Sequence, residues 1–219
     1  MSSTAPPSLD GSAAFLRQFV KRRQGAERCE MCGREVPASH QHLLEIGSRR
    51  LLCACEACAL LFSGQAATKF RRVPRRSLVL QNFQLTDAQW EGLSIPINMA
   101  FFFASTPTSR VEVMYPSPAG ATESLLAQDA WAEIVTANPV LSTLEADVEA
   151  LLVNRVGHAR EGTTAEYFVV PIDECFKLVG LIRLHWKGLS GGTEVWQEIS
   201  RFFSELKQKS RTISGGGRA

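Results

Sequence analysis

The sequence lacks any apolar run approaching the roughly 20 residues that a bilayer-spanning helix needs. Its pure apolar stretches are short, as in MAFFFA at residues 99–104. The N-terminal stretch MSSTAPPSLDGSAA has neither the charged nor the apolar region of a signal peptide. A cytoplasmic protein without a membrane span is therefore expected. Six cysteines in 219 residues are too few for a disulfide scaffold. The loop at residues 116–123 lacks the Gly-Lys-Ser/Thr ending of a phosphate cradle, so a structured turn is expected there. Large charge imbalance is also missing, with a net charge of +2. An apolar share of 45% against 21% charged excludes disorder throughout.

What the sequence does have is unevenly placed. Five of the six cysteines fall between Cys29 and Cys58. Residues 1–78 carry 13 Lys/Arg against 6 Asp/Glu, and residues 79–219 carry 11 against 16. A basic module beside an acidic one implies an anionic partner or contact between the two modules. The organisation read from these shifts is a tail and short helix (1–27), a cysteine-rich module (28–62), a basic linker (63–77), an α+β domain (78–209) and a flexible tail (210–219). The fold class is α+β, with a small zinc-ribbon or treble-clef module ahead of the larger domain and a helix at its C-terminal end.

The cysteine spacing is the strongest chemical signal. Cys29-Glu-Met-Cys32 and Cys55-Glu-Ala-Cys58 are two pairs separated by 22 residues. A tight turn puts two thiolates on one side of the backbone, and two such turns complete a tetrahedron. Zinc accepts four sulfurs at about 2.3 Å. Gly33 suits the positive φ often required after such a turn. Cys29, Cys32, Cys55 and Cys58 are the expected metal ligands, and zinc the expected metal. Iron is the other reading, because four thiolates do not choose between the two by geometry. Cys53 or His42 is an alternative fourth ligand. His40 and His42 otherwise read as exposed or hairpin histidines. The run Ala59-Leu60-Leu61-Phe62 after the second pair favours a helix, hence a treble clef. A partial likeness to HNH nucleases fails at Ala59, where a histidine base is needed, and at the absence of asparagine between the pairs.

In the second module, Leu78-Val79-Leu80 predicts a strand, and Thr86-x-x-Gln89 a capping box that opens a short helix. Residues 97–104 and 111–115 predict strands, and residues 115–120 a loop. Asp129 is the expected cap of a helix ending at Asn138, ahead of Pro139. Residues 151–156 and 167–172 predict paired strands. Residues 175–186 fit both periods, with helix preferred and Asp173 as its N-cap. Thr193 is the expected cap of a final helix with Val195, Trp196, Ile199, Phe202, Phe203 and Leu206 on one face. Ser12 opens a short helix carrying Phe15, Leu16, Phe19 and Val20. Cys175 belongs to the core. Glu123, Asp173 and Glu174 form no recognisable acid/base pair. No catalytic residue is assigned. The arginines at 71–76 lack the aromatic interleaving of a nucleic-acid surface, which leaves a solvated linker or a docking surface for the acidic module.

Three fragments, CEMCGREVPASHQHLLEIGSRRLLCACEACALLF, YPSPAGATESL and VPIDECFKLVGLIRLHWKGLSGG, resemble an uncharacterised and mostly actinobacterial protein family. That family is encoded beside high-affinity, oxygen-tolerant nickel–iron hydrogenases. The resemblance runs over residues 28–208 and carries no catalytic residues with it. It implies a non-catalytic accessory protein that assists maturation, assembly or operation of such a hydrogenase, with hydrogenase subunits or maturation factors as partners. An iron electron carrier and a nucleic-acid-binding or nuclease module are the alternatives.

Overall fold

A computed structural model describes residues 27–63, 69–157 and 164–214. The short helix expected after Ser12 and residues 215–219 lie outside the described residues. The described chain forms two sheets. The smaller is antiparallel in the order β2-β1-β3, with β1 Gln41–Glu45, β2 Arg50–Ala54 and β3 Phe70–Arg72. Helix α1, Glu56–Ser63, follows β2. A turn, a hairpin and a helix in this order make the treble-clef-like module.

The larger sheet has seven strands in the order β10-β4-β9-β8-β5-β6-β7. These are β4 Leu78–Gln81, β5 Met99–Ser105, β6 Arg110–Ser117, β7 Gly120–Ser124, β8 Glu149–Asn154, β9 Glu166–Pro171 and β10 Arg211–Ser214. Neighbours are antiparallel except β10, which pairs parallel with β4. Four helices accompany it: α2 Asp87–Gly92, α3 Gln128–Ala137, α4 Ile172–His185 and α5 Gly192–Lys209.

The sheet is covered on both faces, which explains why its central strands are apolar without alternation. Successive side chains of β5 point to opposite sides. Phe101 and Phe103 join Phe168, Val170 and the apolar faces of α4 and α5. Phe102 turns the other way and stacks on Trp131 of α3, with ring centroids 5.0 Å apart. Trp90 of α2 and Ile134 of α3 complete that second core.

Several expectations change in detail. The capping box at Thr86 forms as read, with the Thr86 side chain accepting from Gln89 N and the Gln89 side chain accepting from Thr86 N. Residues 172–185 are helix, because Cys175, Leu178, Val179 and Ile182 all turn into one core. Asp173 is not its cap: Pro171 stands there and Asp173 lies in the first turn. Likewise Ala127 replaces Asp129, and Gly191 replaces Thr193. Gly191 has φ +85°, and an added Cβ would meet Val195 Cγ1 at 2.8 Å, so the turn between α4 and α5 requires glycine. Trp196 is 40% exposed at the edge of the α5 face rather than within it. The expected loop at 115–120 shrinks to the turn between β6 and β7. Pro116 is tolerated in β6 because pairing with β5 stops at Met114, leaving one neighbour beyond it. Arg211–Ser214, read as flexible tail, is instead strand β10 on the edge strand β4.

The basic stretch 63–77 is not a free linker. It supplies β3, which pairs with β1, and two of its arginines, Arg71 and Arg76, bind carboxylates of the second module, while Arg72 pairs with Glu56 of the first. Arg76 grips Glu149 with two bonds, at 2.5 and 2.6 Å, and also donates to Thr143 O. Arg71 reaches Asp147 at 3.2 Å, and Arg49 pairs with the buried Glu112. Leu44 and Val73 enter the main core beside Phe101. The charge split of the sequence is thus used inside the molecule, where basic and acidic halves meet.

Candidate metal centre

Cys29 and Cys32 sit on a tight turn closed by the Gly33 N–H donating to Cys29 O at 2.8 Å. Gly33 follows with φ +74°, the conformation for which a residue without Cβ is suited. Cys55 lies just after β2, and its carbonyl accepts from Ala59 N at 2.9 Å to open α1. Cys58 therefore falls in the first turn of that helix. Glu30 ties the two turns together: its N–H donates to Cys53 O at 2.8 Å, and its carboxylate accepts from Cys53 N at 3.0 Å.

The result is a tetrad. The four sulfurs of Cys29, Cys32, Cys55 and Cys58 all lie within 4.8 Å of one another. Cys32 and Cys55 are 3.8 Å apart. The edge of a tetrahedron with sulfurs at about 2.3 Å from its centre is about 3.8 Å, whereas a disulfide requires about 2.05 Å. The donor set fits one tetrahedral ion. Burial raises the Cys29 thiol, but backbone N–H groups of Cys55, Met31 and Cys32 outweigh it and bring its pKa down to about 6. Burial and then the surrounding cysteine sulfurs push Cys58 up to about 12. A bound cation would deprotonate all four, since a coordinating thiol loses its proton outright.

Cys53 and His42 do not join the tetrad. Along β2, Leu52 and Ala54 pack into the small core with Cys29, so the residues between them face the opposite way. Leu51 accordingly packs on the main core. Cys53, on the same face as Leu51, meets His42, its cross-strand partner in β1. His40 and His42 are not an exposed pair. The His40 side chain is 5% exposed, and the two rings meet edge-on with centroids 4.9 Å apart. His42 Nδ1 lies 2.7 Å from Asp173 Oδ2 at the start of α4. That hydrogen bond raises the His42 pKa against the opposing effect of burial. Burial, with Glu27 and Glu30 nearby, raises the Cys53 thiol. Sequence reasoning gave Asp173 only a capping role, and no local signal links two residues 131 positions apart.

Cys175 is fully buried on α4, and burial lifts its thiol well above the ordinary range, as suits a core residue. His185, at the end of α4, bonds to Glu194 of α5 at 2.9 Å. Among the described residues, no helix is long and apolar enough to cross a membrane.

Comparison with curated proteins and with solved structures finds no match. A family model does match, over residues 28–210, a span that holds the tetrad, the small sheet, strands β4 to β9 of the larger one and α5. The chain belongs to the family of unknown function DUF5947.

Proposed function

We propose that this protein is a non-catalytic zinc-binding accessory protein that works through protein contacts. The observation that carries the reading is the tetrad. Four protein thiolates fill a tetrahedral ion and leave no position for water or substrate, the arrangement of structural rather than catalytic zinc. Zinc there would knit the turn at 29–33 to the start of α1. Exposed apolar side chains at the α4–α5 corner, Leu184, Leu189 and Trp196, offer contact surface for a partner.

The partner we propose is a nickel–iron hydrogenase or its maturation machinery, on the resemblance of the three sequence fragments. Deleting the gene should lower hydrogenase activity or alter subunit processing, and a tagged chain should retain hydrogenase subunits. Normal hydrogenase activity in the deletion strain would remove the hydrogenase part of the proposal. Metal analysis of protein purified without added metal tests the other part. A colourless sample holding zinc is expected, and a coloured, iron-loaded sample would replace it with an electron carrier.

A further inference from the structure

A second group of donors lies beside the tetrad and on the other face of the same hairpin. The donor atoms of His40, His42 and Cys53 lie within 4.8 Å of one another. None of the three is needed by the tetrad, whose four sulfurs are complete without them. We propose that His40, His42 and Cys53 form a second metal site, for a zinc-class divalent transition-metal ion with three protein ligands and one open position.

The hydrogen bonds around the two rings support this assignment. A carbonyl oxygen only accepts, so His40 Nδ1, 2.9 Å from Pro37 O, carries the proton. Its Nε2 then holds the lone pair. That atom is buried and has no hydrogen-bond partner, on a side chain that is 95% enclosed. A buried nitrogen lone pair with nothing to accept from carries a desolvation penalty that a bound cation would offset. His42 repeats the pattern: Nδ1 faces the Asp173 carboxylate at 2.7 Å, leaving Nε2 as the free donor. A histidine whose far nitrogen is held by a carboxylate or a backbone carbonyl is the usual setting of a metal-ligating imidazole. Both rings carry that second bond here, one of each kind. Two nitrogens and one sulfur suit zinc and its neighbours better than hard cations.

The placement also supplies the open position. A cleft of about 690 Å³ between the two modules is lined by His40, His42, Arg75, Asp173 and Lys177 among others. The tetrad has four protein ligands, whereas this site has three, of which the two histidines line that cleft. Three protein ligands leave the fourth position of a tetrahedral ion open to an outside ligand. Glu27, Asp173 and Glu174 line the same cleft together with Arg75, Lys177 and Lys209.

The two sites are separable by experiment on the full-length chain. After zinc loading and removal of excess, the wild type should hold two equivalents. Cys53→Ser and His40→Gln should each hold one, with tryptophan fluorescence unchanged because all four tryptophans lie beyond residue 78. Zinc should protect Cys53 from alkylation by iodoacetamide in the wild type and not in His40→Gln. Asp173→Asn should keep both sites but weaken the second about 10- to 100-fold in competition with a chelator. A wild type that takes only one equivalent in excess zinc would overturn the proposal. So would variants that keep two equivalents, or a Cys53 alkylated equally fast with and without zinc. A single equivalent in the wild type would leave the tetrad reading standing, so failure of this site and failure of the tetrad give different results.

Discussion

The two modules of this chain are stabilised by different means. The larger domain covers both faces of a seven-stranded sheet, and each face has its own cluster of aromatic and aliphatic side chains. The smaller module has three short strands and one helix. Its buried apolar set is Cys29, Val36, Leu43, Leu52, Ala54, Cys58 and Ala59. Two of those are ligand cysteines and two are alanines, so little apolar area is buried there. The comparison sets a region with a large apolar core beside one whose own apolar core is small. The small region has four clustered cysteines that could hold an ion, and it leans on the large one through Leu44, Val73 and a set of arginine–carboxylate pairs.

The sharpest way to break this comparison is to remove the metal proposed for the tetrad. Structural zinc contributes on the order of 10 kcal/mol to folding in small zinc modules. Chelation, or Cys29→Ser, should therefore strip amide-exchange protection from Leu43 and Leu52 while tryptophan fluorescence holds steady. Equal loss in both regions would show that they fold as one unit. The converse change is Phe102→Ala, which empties space against Trp131 in the large domain. It should lower that domain's stability by about 3–5 kcal/mol, read from the denaturant midpoint, and leave metal content unchanged.

The join itself can be tested next. Arg76→Ala leaves Glu149, 1% exposed, with only the Glu145 N–H at 2.9 Å as partner. A loss of about 2 kcal/mol is expected for a buried carboxylate deprived of its cation. Because Arg76 is itself half exposed, the full effect of a deeply buried pair is not expected. Glu149→Gln in the same background should recover part of the loss. The smallest effect belongs to a site remote from the join. Thr86→Ala removes the capping box of α2 and should lower the melting temperature by a few degrees, about 1 kcal/mol. The metal content should not respond.

Much of the fold was readable where the signal was local. The capping box at Thr86, the end of α3 at Asn138 and the pairing of β8 with β9 follow from neighbouring residues. Asn138 shows the limit of such reading. The sequence marked it as a helix end ahead of proline. The structure also buries its amide, which accepts from Gln84 N and donates to Gln84 O, each at 2.8 Å. The two strands that the sequence did not mark share a cause. Phe70–Arg72 and Arg211–Ser214 are polar or basic stretches whose strand state depends on a neighbouring strand edge. Their own residues carry no alternating apolar pattern to announce it.

The metal chemistry divides along the same line. The sequence by itself determined the tetrad, because each pair of thiols is brought together by a turn spanning four residues. Closing two such turns on one centre needs only a hairpin between them. Tertiary structure alone decided the fate of Cys53, His40, His42 and Asp173. Opposite in parity to Leu52 and Ala54, Cys53 faces away from the small core and meets His42, which in turn reaches Asp173 on a helix from the far half of the chain. Strand parity and long-range docking are set by which face finds a core to cover, and no spacing rule along the chain encodes that choice.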